Sequence, residues 1–216
     1  MWDNVGSKYS HVTMAHPCFN EKAHFKVGRI HLPVAPKCNI QCNYCTRSIN
    51  KCEFRPGVSA CIMSPEEALE RLDKALKENQ NIKVVGIAGP GESLANDSTF
   101  KTLKLIDEKY PDLLKCLSTN GLLLKEKANE LADLGVKTVT VTVNALDEEI
   151  AEKIYSWINF DKQIIKGKDA ARKLIDKQWE GILEAKRAEM LVKLNSVLIP
   201  EINLNEIEKI ALKGKD

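Results

Sequence analysis

Three cysteines with the spacing Cys38-x-x-x-Cys42-x-x-Cys45 carry the clearest chemical signal in the chain. Thiolates at these positions allow one loop to bind three corners of an iron–sulfur cube and to leave one iron without a protein ligand. The polar residues between them do not suit thiols that only fill a core. A zinc site closed by Cys52 is the alternative, although structural zinc usually takes paired thiolates on two separate knuckles.

The chain has seven cysteines and four histidines. An odd number of cysteines, and an N-terminus without a secretory signal pattern, predict a reduced cytoplasm rather than a disulfide framework. Cys61 and Cys116 have apolar neighbours, so the residues alone favour a place in the core for both. His31 precedes the cysteine loop on a predicted strand, and a structural hydrogen bond and metal ligation remain equally open for it.

The composition is that of an ordinary globular domain. Of the 216 residues 44% are hydrophobic and 29% are charged, and the formal net charge is +2. This balance argues against a basic nucleic-acid-binding protein. No apolar run approaches the roughly 18 residues of a membrane span. We therefore expect neither nucleic acid nor a membrane as a partner.

The hydrophobic pattern alternates between strands and helices. We predict strands at residues 26–34, 82–88, 113–119, 136–143 and 190–199. We predict helices at residues 65–78, 98–109, 124–134 and 168–187, with a further helical start at 147–149. Arg55-Pro56-Gly57 predicts a turn. The alternation is typical of βαβ units, so we expect an α/β fold whose parallel sheet is either doubly wound or curled into a (β/α) barrel.

Unusual polar residues follow four of the predicted strands. They are the cysteine loop, Gly89-Pro90-Gly91-Glu92, Thr119-Asn120 and Asn144. In both architectures ligands bind at the carboxyl edge of the sheet. The glycine-rich stretch alone is consistent with a plain turn, but its carboxylate could bind a cationic amine. It lacks the glycine patterns of dinucleotide and phosphate loops.

The cysteine loop together with the stretch ending in Glu92 resembles the radical S-adenosylmethionine (SAM) superfamily. Within it, the chain is similar to the maturases of the nitrogenase iron–molybdenum cofactor. The segments that carry this closer resemblance are His16-Pro17-Cys18-Phe19-Asn20, residues 28–39, Arg55-Pro56-Gly57-Val58, residues 86–92, Ile154-Tyr155-Ser156-Trp157 and Gln178-Trp179-Glu180-Gly181. The resemblance covers nearly the whole chain, from about residue 15 to the last predicted strand.

The resemblance implies a fold and a division of the chain. We expect an N-terminal arm with cluster ligands at residues 1–25 and a partial (β/α)6 TIM-like barrel at residues 26–216. The family continues into a sixth strand and a C-terminal Cys-x-x-Cys that this sequence does not contain, so we expect the barrel to lack its C-terminal end.

The resemblance also assigns a SAM site. Cys38, Cys42 and Cys45 would hold a 4Fe–4S cluster whose open iron is chelated by the amino and carboxylate groups of SAM. The residues implied to bind SAM itself are Gly89, Gly91, Glu92, Thr119, Asn120 and Asn144. Glu92 would receive the methionine amino group, and reductive cleavage of SAM would give a 5′-deoxyadenosyl radical.

Further residues match ligands of additional 4Fe–4S substrate clusters. His31, Cys52 and Cys116 would bind one cluster and Cys18 another, while Glu53 would be a catalytic acid near them. Cys52 lies somewhat later in the loop than the family pattern places this thiol. The implied reaction methylates and fuses two 4Fe–4S clusters into a carbide-containing 8Fe cofactor, with lyase-like cleavage of SAM.

The implied partners are iron–sulfur cluster donor proteins and the carrier or acceptor proteins of nitrogenase assembly. The expected setting is an anaerobic or oxygen-protected cytoplasm, because a cluster with an open iron is exposed to oxidants. Two other functions remain open from the sequence: a non-catalytic iron–sulfur scaffold or carrier, and a radical SAM enzyme with an organic or peptide substrate.

Overall fold

The computed structural model describes residues 8–53 and 57–215. The strands in this part of the chain are β1 (Gly28–Pro33), β2 (Ile40–Cys42), β3 (Ser48–Ile49), β4 (Val58–Ser59), β5 (Ile82–Ala88), β6 (Leu114–Thr119), β7 (Val136–Thr142), β8 (Tyr155–Phe160), β9 (Gln163–Ile165) and β10 (Leu191–Asn195). The helices are α1 (Ser10–Ala15), α2 (Glu21–His24), α3 (Pro65–Glu78), α4 (Asp97–Lys109), α5 (Leu124–Asp133), α6 (Glu148–Ile154), α7 (Gly167–Arg187), α8 (Pro200–Asn203) and α9 (Glu206–Lys213). The predicted turn at Arg55-Pro56 and the start of the arm lie outside the described residues.

A five-stranded parallel sheet in the order β1-β5-β6-β7-β10 forms the centre of the molecule. Parallel neighbours need crossover connections, which α3, α4, α5 and α7 supply between successive strands. This confirms the predicted α/β fold with a parallel sheet. The carboxyl ends of all five strands lie at the same edge, so the polar residues that follow them are brought together there.

The start of α3 shows how closely the local sequence determines an element. The Ser64 hydroxyl accepts a hydrogen bond from the Glu67 backbone N–H at 3.2 Å, and the Glu67 carboxylate accepts one from the Ser64 N–H at 2.8 Å. Pro65 occupies the first helical position. This capping box satisfies two backbone donors that would otherwise lack partners. The predicted helix and its start are confirmed.

The main core lies between the sheet and the helices on its outer face. Its buried residues include Leu32, Leu72, Ile87, Leu103, Ile106, Leu117, Leu131, Val139 and Ile182. Burying each such side chain contributes roughly 1.5–3 kcal/mol of hydrophobic stabilisation. Cys116 lies on the opposite face of β6 and is only partly buried.

A second, antiparallel sheet in the order β2-β8-β9 was not predicted from the sequence. It holds the cysteine loop through backbone hydrogen bonds, such as Asn159 N–H to the Asn39 carbonyl at 2.7 Å and Asn43 N–H to the Ile154 carbonyl at 2.8 Å. Its residues pack on α7 in a smaller core that contains Ile40 and Ile158. The sheet therefore anchors the base of the cysteine loop.

The arm contains the two short helices α1 and α2, where the sequence shows no sustained period. Lys8 forms an ion pair with Glu189 at 3.4 Å, just before β10. Within the described ranges, no helix is both long and apolar enough to cross a membrane. Cys61, expected to be core filler, is only partly buried and lies just before α3.

Candidate functional site

A cavity of about 200 Å³ opens at the carboxyl edge of the central sheet. It is lined by Cys38, Ile40, Cys42, Tyr44, Cys45, Gly57, Gly89, Pro90, Gly91, Glu92, Ser118, Thr119, Asn120, Thr142, Asn144 and Tyr155. The three loop cysteines and all six residues expected to bind SAM are therefore brought together. A larger cavity of about 430 Å³ lies between α7, β10 and α9 and contains none of the predicted site residues.

The cysteine loop is held in a tight turn by its own polar groups. The Cys45 backbone N–H donates to the Cys42 carbonyl at 3.0 Å. The Gln41 side-chain amide donates to the carbonyls of both Cys42 and Cys45, at 2.8 and 2.9 Å. Gly57 approaches the loop with a φ of +78°, and a Cβ there would lie 2.2 Å from the Cys45 sulfur. Only glycine fits this position without displacing the thiol.

Burial disfavours the thiolate form of two loop cysteines, Cys38 and Cys42. It raises the pKa of Cys38, and it raises the pKa of Cys42 to about 12, because a thiolate is poorly solvated in the cavity. A hydrogen bond from the Tyr44 hydroxyl opposes the rise in the pKa of Cys42. Metal ligands must be deprotonated, so loading this site with iron must release protons.

The glycine-rich stretch after β5 packs directly on the chain that leads into the cysteine loop. A Cβ on Gly89 would lie 2.3 Å from the Ala35 carbonyl oxygen, and one on Gly91 would lie 2.2 Å from the Lys37 carbonyl oxygen. The backbone N–H groups of Gly91 and Glu92 donate to these same two carbonyls at 2.9 and 2.8 Å. The glycines are therefore needed for close contact between the two loops.

Glu92 is 4% exposed and joins two strand ends. Its Oε1 accepts hydrogen bonds from the Leu94 N–H at 3.0 Å and from the Thr119 hydroxyl at 2.5 Å, and its Oε2 accepts one from the Asn120 N–H at 2.6 Å. Burial raises the pKa of Glu92, while these hydrogen bonds oppose the rise. A carboxylate has about four acceptor positions, so Oε2 retains capacity for one further donor.

The other strand ends are fixed by amide side chains. The Asn144 Nδ2 donates to the Tyr44 hydroxyl at 3.1 Å, and its Oδ1 accepts from the Val197 N–H at 2.9 Å. The buried Gln178 side chain donates to the carbonyls of Asn120 and Thr142, at 2.8 and 2.9 Å. These contacts tie the ends of β6 and β7 to α7 and to the segment before α8.

His31 and Cys116 lie together on the open face of the central sheet, outside the cavity lining. They occupy one cross-strand row with Gly86 between them. A Cβ on Gly86 would lie 2.5 Å from the His31 ring and 3.3 Å from the Cys116 sulfur. Burial raises the pKa of Cys116 to about 11, and the nearby Cys18 thiol also raises it. The thiol of Cys18 accepts a hydrogen bond from Arg29.

Cys52 and Glu53 lie in an exposed loop between β3 and β4 and do not line the cavity. The Cys52 N–H donates to Asn50 Oδ1 at 2.8 Å, and Asn50 Nδ2 donates to Glu53 at 2.9 Å. In the described part of the chain, no three His, Cys, Asp or Glu side chains are grouped so that they could hold a single metal ion. The ligand roles expected for Cys52, His31, Cys116 and Cys18 stay predictions, as does the catalytic role of Glu53.

Tyr155 is a cavity residue that the sequence reasoning did not single out. It is 4% exposed, and burial raises its pKa well above the ordinary value because the phenolate would be desolvated beside Cys42 and Tyr44. Tyr155 belongs to the segment Ile154-Tyr155-Ser156-Trp157, which resembles the family but has no role assigned from the sequence. Gln178 belongs to another segment of this kind, Gln178-Trp179-Glu180-Gly181.

The fold and the cavity are those of a radical SAM protein. The family model described as "Radical SAM superfamily" matches residues 32–213. The solved structure described as "Native anSMEcpe with bound AdoMet" has a TM-score of 0.59 and 18% sequence identity, and the match covers 87% of this chain and 48% of that one. This likeness concerns the fold alone.

Curated relatives narrow the class further. "FeMo cofactor biosynthesis protein NifB" of Methanocaldococcus jannaschii is 57% identical over 215 residues, which are 99% of this chain and 72% of the relative. The protein of the same description from Klebsiella pneumoniae is 49% identical over 88% of this chain and 41% of its own length. The chain belongs to the NifB family of the radical SAM superfamily. It spans less than half of the Klebsiella relative.

Proposed function

We propose that this chain is a radical SAM enzyme of FeMo cofactor biosynthesis, the process for which its curated relatives are named. The observation that carries the proposal is the cavity that joins Cys38, Cys42 and Cys45 to Glu92 and the ends of three strands. A set of three thiols beside a buried carboxylate suits a cofactor that needs both a metal ligand set and an ammonium acceptor.

The donor chemistry of the cavity fits a 4Fe–4S cluster with one open iron. Three thiols line it, and among its described lining residues there is no fourth cysteine and no histidine. When bound, such a cluster would supply the electron for reductive cleavage of SAM. The free acceptor position on Glu92 Oε2 would bind the methionine ammonium group, and Asn144 and Thr119 would line the rest of the SAM site.

The proposed substrates are further 4Fe–4S clusters, which the enzyme would methylate and fuse into a carbide-containing 8Fe cofactor. The adjacency of His31 and Cys116 across Gly86 supports this, because both are good iron ligands on an open face next to the cavity. We propose Cys18 and Cys52 as additional ligands and Glu53 as an acid acting on the substrate. Cluster donor proteins and cofactor carriers would be the partners, in an oxygen-protected cytoplasm.

Anaerobic reconstitution with iron and sulfide, followed by iron counting and by incubation with SAM and a reductant such as dithionite, tests this proposal. We expect about eight to twelve irons per chain, the content of two or three 4Fe–4S clusters, and formation of 5′-deoxyadenosine. The Cys42→Ala variant should lose 5′-deoxyadenosine formation, whereas the matched Cys61→Ala variant should retain it.

The other functions predict different results in the same experiment. About four irons with 5′-deoxyadenosine would indicate a radical SAM enzyme with an organic or peptide substrate. Eight or more irons (about two clusters) without 5′-deoxyadenosine would indicate a scaffold or carrier. Either result would contradict the proposed function.

A further inference from the structure

The open face of the central sheet carries polar side chains where an apolar core would be expected in a closed barrel. His31, Gly86, Cys116 and Thr138 are cross-strand neighbours in one row. Arg29 lies two residues before His31 on β1 and therefore points to the same face. The described part of the N-terminal arm meets this face at Cys18, whose thiol accepts a hydrogen bond from Arg29.

His16 of the arm is buried on this face with an unused donor. Its side chain is 2% exposed, and its Nδ1 accepts a hydrogen bond from the Cys18 N–H at 3.1 Å. In the neutral ring the proton then resides on Nε2. This Nε2 is buried and has no hydrogen-bond partner among the described residues. A buried donor without an acceptor costs stability unless a ligand supplies the acceptor.

Two cationic side chains from opposite edges of the sheet lie near His16. Arg29 on β1 and Lys193 on β10 both act electrostatically on His16, as does His31. Lys193 lies over the Phe19 ring at 6.0 Å, and Phe19 packs edge-on against His16 at 5.0 Å between ring centroids. Across the described chain, neither Arg29 nor Lys193 has a carboxylate within ion-pair distance.

Donors therefore converge on this face without acidic partners, beside the thiols of Cys18 and Cys116. We propose that His16, Arg29 and Lys193 form a donor cradle that binds the sulfide edge of an anionic iron–sulfur cluster. This inference rests on the proposed function and adds three positioning residues to it. In the cluster-bound state, the Nε2–H of His16 and the two cations donate to cluster sulfides, while the Cys116 thiolate on the same face binds iron.

The test isolates this face by removing the thiols of the cavity. The full chain with Cys38→Ala, Cys42→Ala and Cys45→Ala is reconstituted anaerobically, and we expect about four to eight irons to remain. Positive charge and hydrogen bonds to sulfide favour the reduced, more negative cluster. Arg29→Gln and Lys193→Gln should therefore each shift the midpoint potential of the remaining cluster to a more negative value. Arg29→Lys keeps the positive charge, so its midpoint potential should lie close to the wild-type value.

His16 has its own pair of variants. His16→Phe keeps an aromatic ring but removes the donor, so it should shift the midpoint potential in the same negative direction. His16→Gln keeps an N–H donor and should shift it less. Lys83→Gln is the matched control, because Lys83 is an exposed lysine of the same sheet on the other face of β5. Far-UV circular dichroism verifies that each variant is folded.

Two outcomes would overturn the inference. In the first, the chain without the loop cysteines retains no iron, so this face holds no cluster. In the second, the cluster is retained but its midpoint potential is the same in the cradle variants and in Lys83→Gln. Failure of the proposed function is recognised separately, since 5′-deoxyadenosine formation is assayed with the cysteine loop intact.

Discussion

The Tyr44 hydroxyl connects the cysteine loop to the end of β7. It donates a hydrogen bond to the Cys42 sulfur and accepts one from Asn144 Nδ2 at 3.1 Å. Asn144 is 1% exposed, and its Oδ1 is bound to the Val197 N–H. One phenol thus links a predicted iron ligand, a predicted SAM-site residue and the segment after β10.

Removing that hydroxyl in Tyr44→Phe should destabilise the metal-free protein by about 1–3 kcal/mol, because two buried hydrogen bonds are lost, the one from Asn144 Nδ2 and the one to the Cys42 thiol. Urea unfolding measures the effect. Tyr110→Phe is the matched control, since the Tyr110 hydroxyl donates at 2.7 Å to the surface residue Asp73. The loss of stability in Tyr110→Phe should be smaller, because water can replace the phenol at the Asp73 carboxylate, which also keeps its ion pair with Lys109. Equal losses in the two variants would show that the Tyr44 link is unimportant for stability.

His16 should make the stability of the metal-free protein sensitive to acid. Burial lowers its pKa from 6.5 to about 4, with further lowering by Arg29, Lys193 and His31. Its stabilising contribution is complete above the unfolded pKa and is lost as the pH falls through the folded pKa, because only the unfolded chain is readily protonated in between. The loss reaches up to about 3 kcal/mol.

Urea unfolding between about pH 7 and pH 4 would measure this loss. As the pH is lowered, the free energy of unfolding of His16→Gln should fall less steeply than that of the wild type. His24→Gln, an exchange of an exposed histidine, serves as the control and should keep the wild-type slope. A His16→Gln slope equal to that of the wild type would contradict the expectation.

At the scale of elements, segments with strong local signals were predicted well. The pairing of β2 with β8, which are far apart in the sequence, was not predicted. The capping box at Ser64 and the apolar run at residues 82–88 specify α3 and β5 from neighbouring residues alone. The hairpin β8–β9 carried no such signal. Its turn uses Asp161 and Lys162 at φ of 51° and 63°, whereas Asn-Gly or Gly-Gly would have marked it. The β2–β8 pairing depends on residues more than 100 positions apart.

The candidate site likewise combines residues that the sequence predicts with residues that only the tertiary fold brings together. Motif spacing predicted the cavity residues because the carboxyl ends of parallel strands share an edge. Tyr155 and Gln178 were not assigned a role, since only the tertiary fold brings them to the cavity and to the strand ends. Whether Cys52 joins His31 and Cys116 could not follow from loop length, and the structure places Cys52 in an exposed loop.

The β8–β9 turn gives a stability prediction at this scale. Lys162 has a left-handed φ of 63°, which costs a residue with a Cβ but not glycine. Lys162→Gly should therefore raise the free energy of unfolding by up to about 1 kcal/mol. Lys104→Gly, in the exposed middle of α4, should lower it by about 1 kcal/mol. Thermal unfolding compares the two, and a loss of stability in Lys162→Gly would contradict the assignment of turn strain.

For the whole molecule, one sheet positions both the cavity and the face that we propose as a second site. The cavity thiols depend on the β2–β8 pairing, whereas His31 and Cys116 depend on the close β1–β5–β6 packing at Gly86. These supports share no side chain. Changes confined to one site should therefore leave iron binding at the other site intact.

Iron counting on single and double variants measures this independence. Cys42→Ala and Cys116→Ala should each reduce the iron content by about four per chain, and the double variant should lose about eight. An unchanged iron content and unchanged cluster spectra in Cys116→Ala would show that Cys116 only packs. Loss of all iron in either single variant would show that the two sites assemble as one.

Strand β6 also sets the distance between the two sites. Ser118 lines the cavity, and Cys116 lies two residues before it on the same face, about 7 Å away along the strand. A reactive species formed in the cavity would have to move only this distance, two residues along β6, to meet a substrate at Cys116. The reaction of this species with the substrate then requires no large domain movement. The single-turnover rate of SAM cleavage and substrate modification should therefore be insensitive to added viscogen. A rate that falls in proportion to solvent viscosity would instead identify a diffusive motion as the slow step.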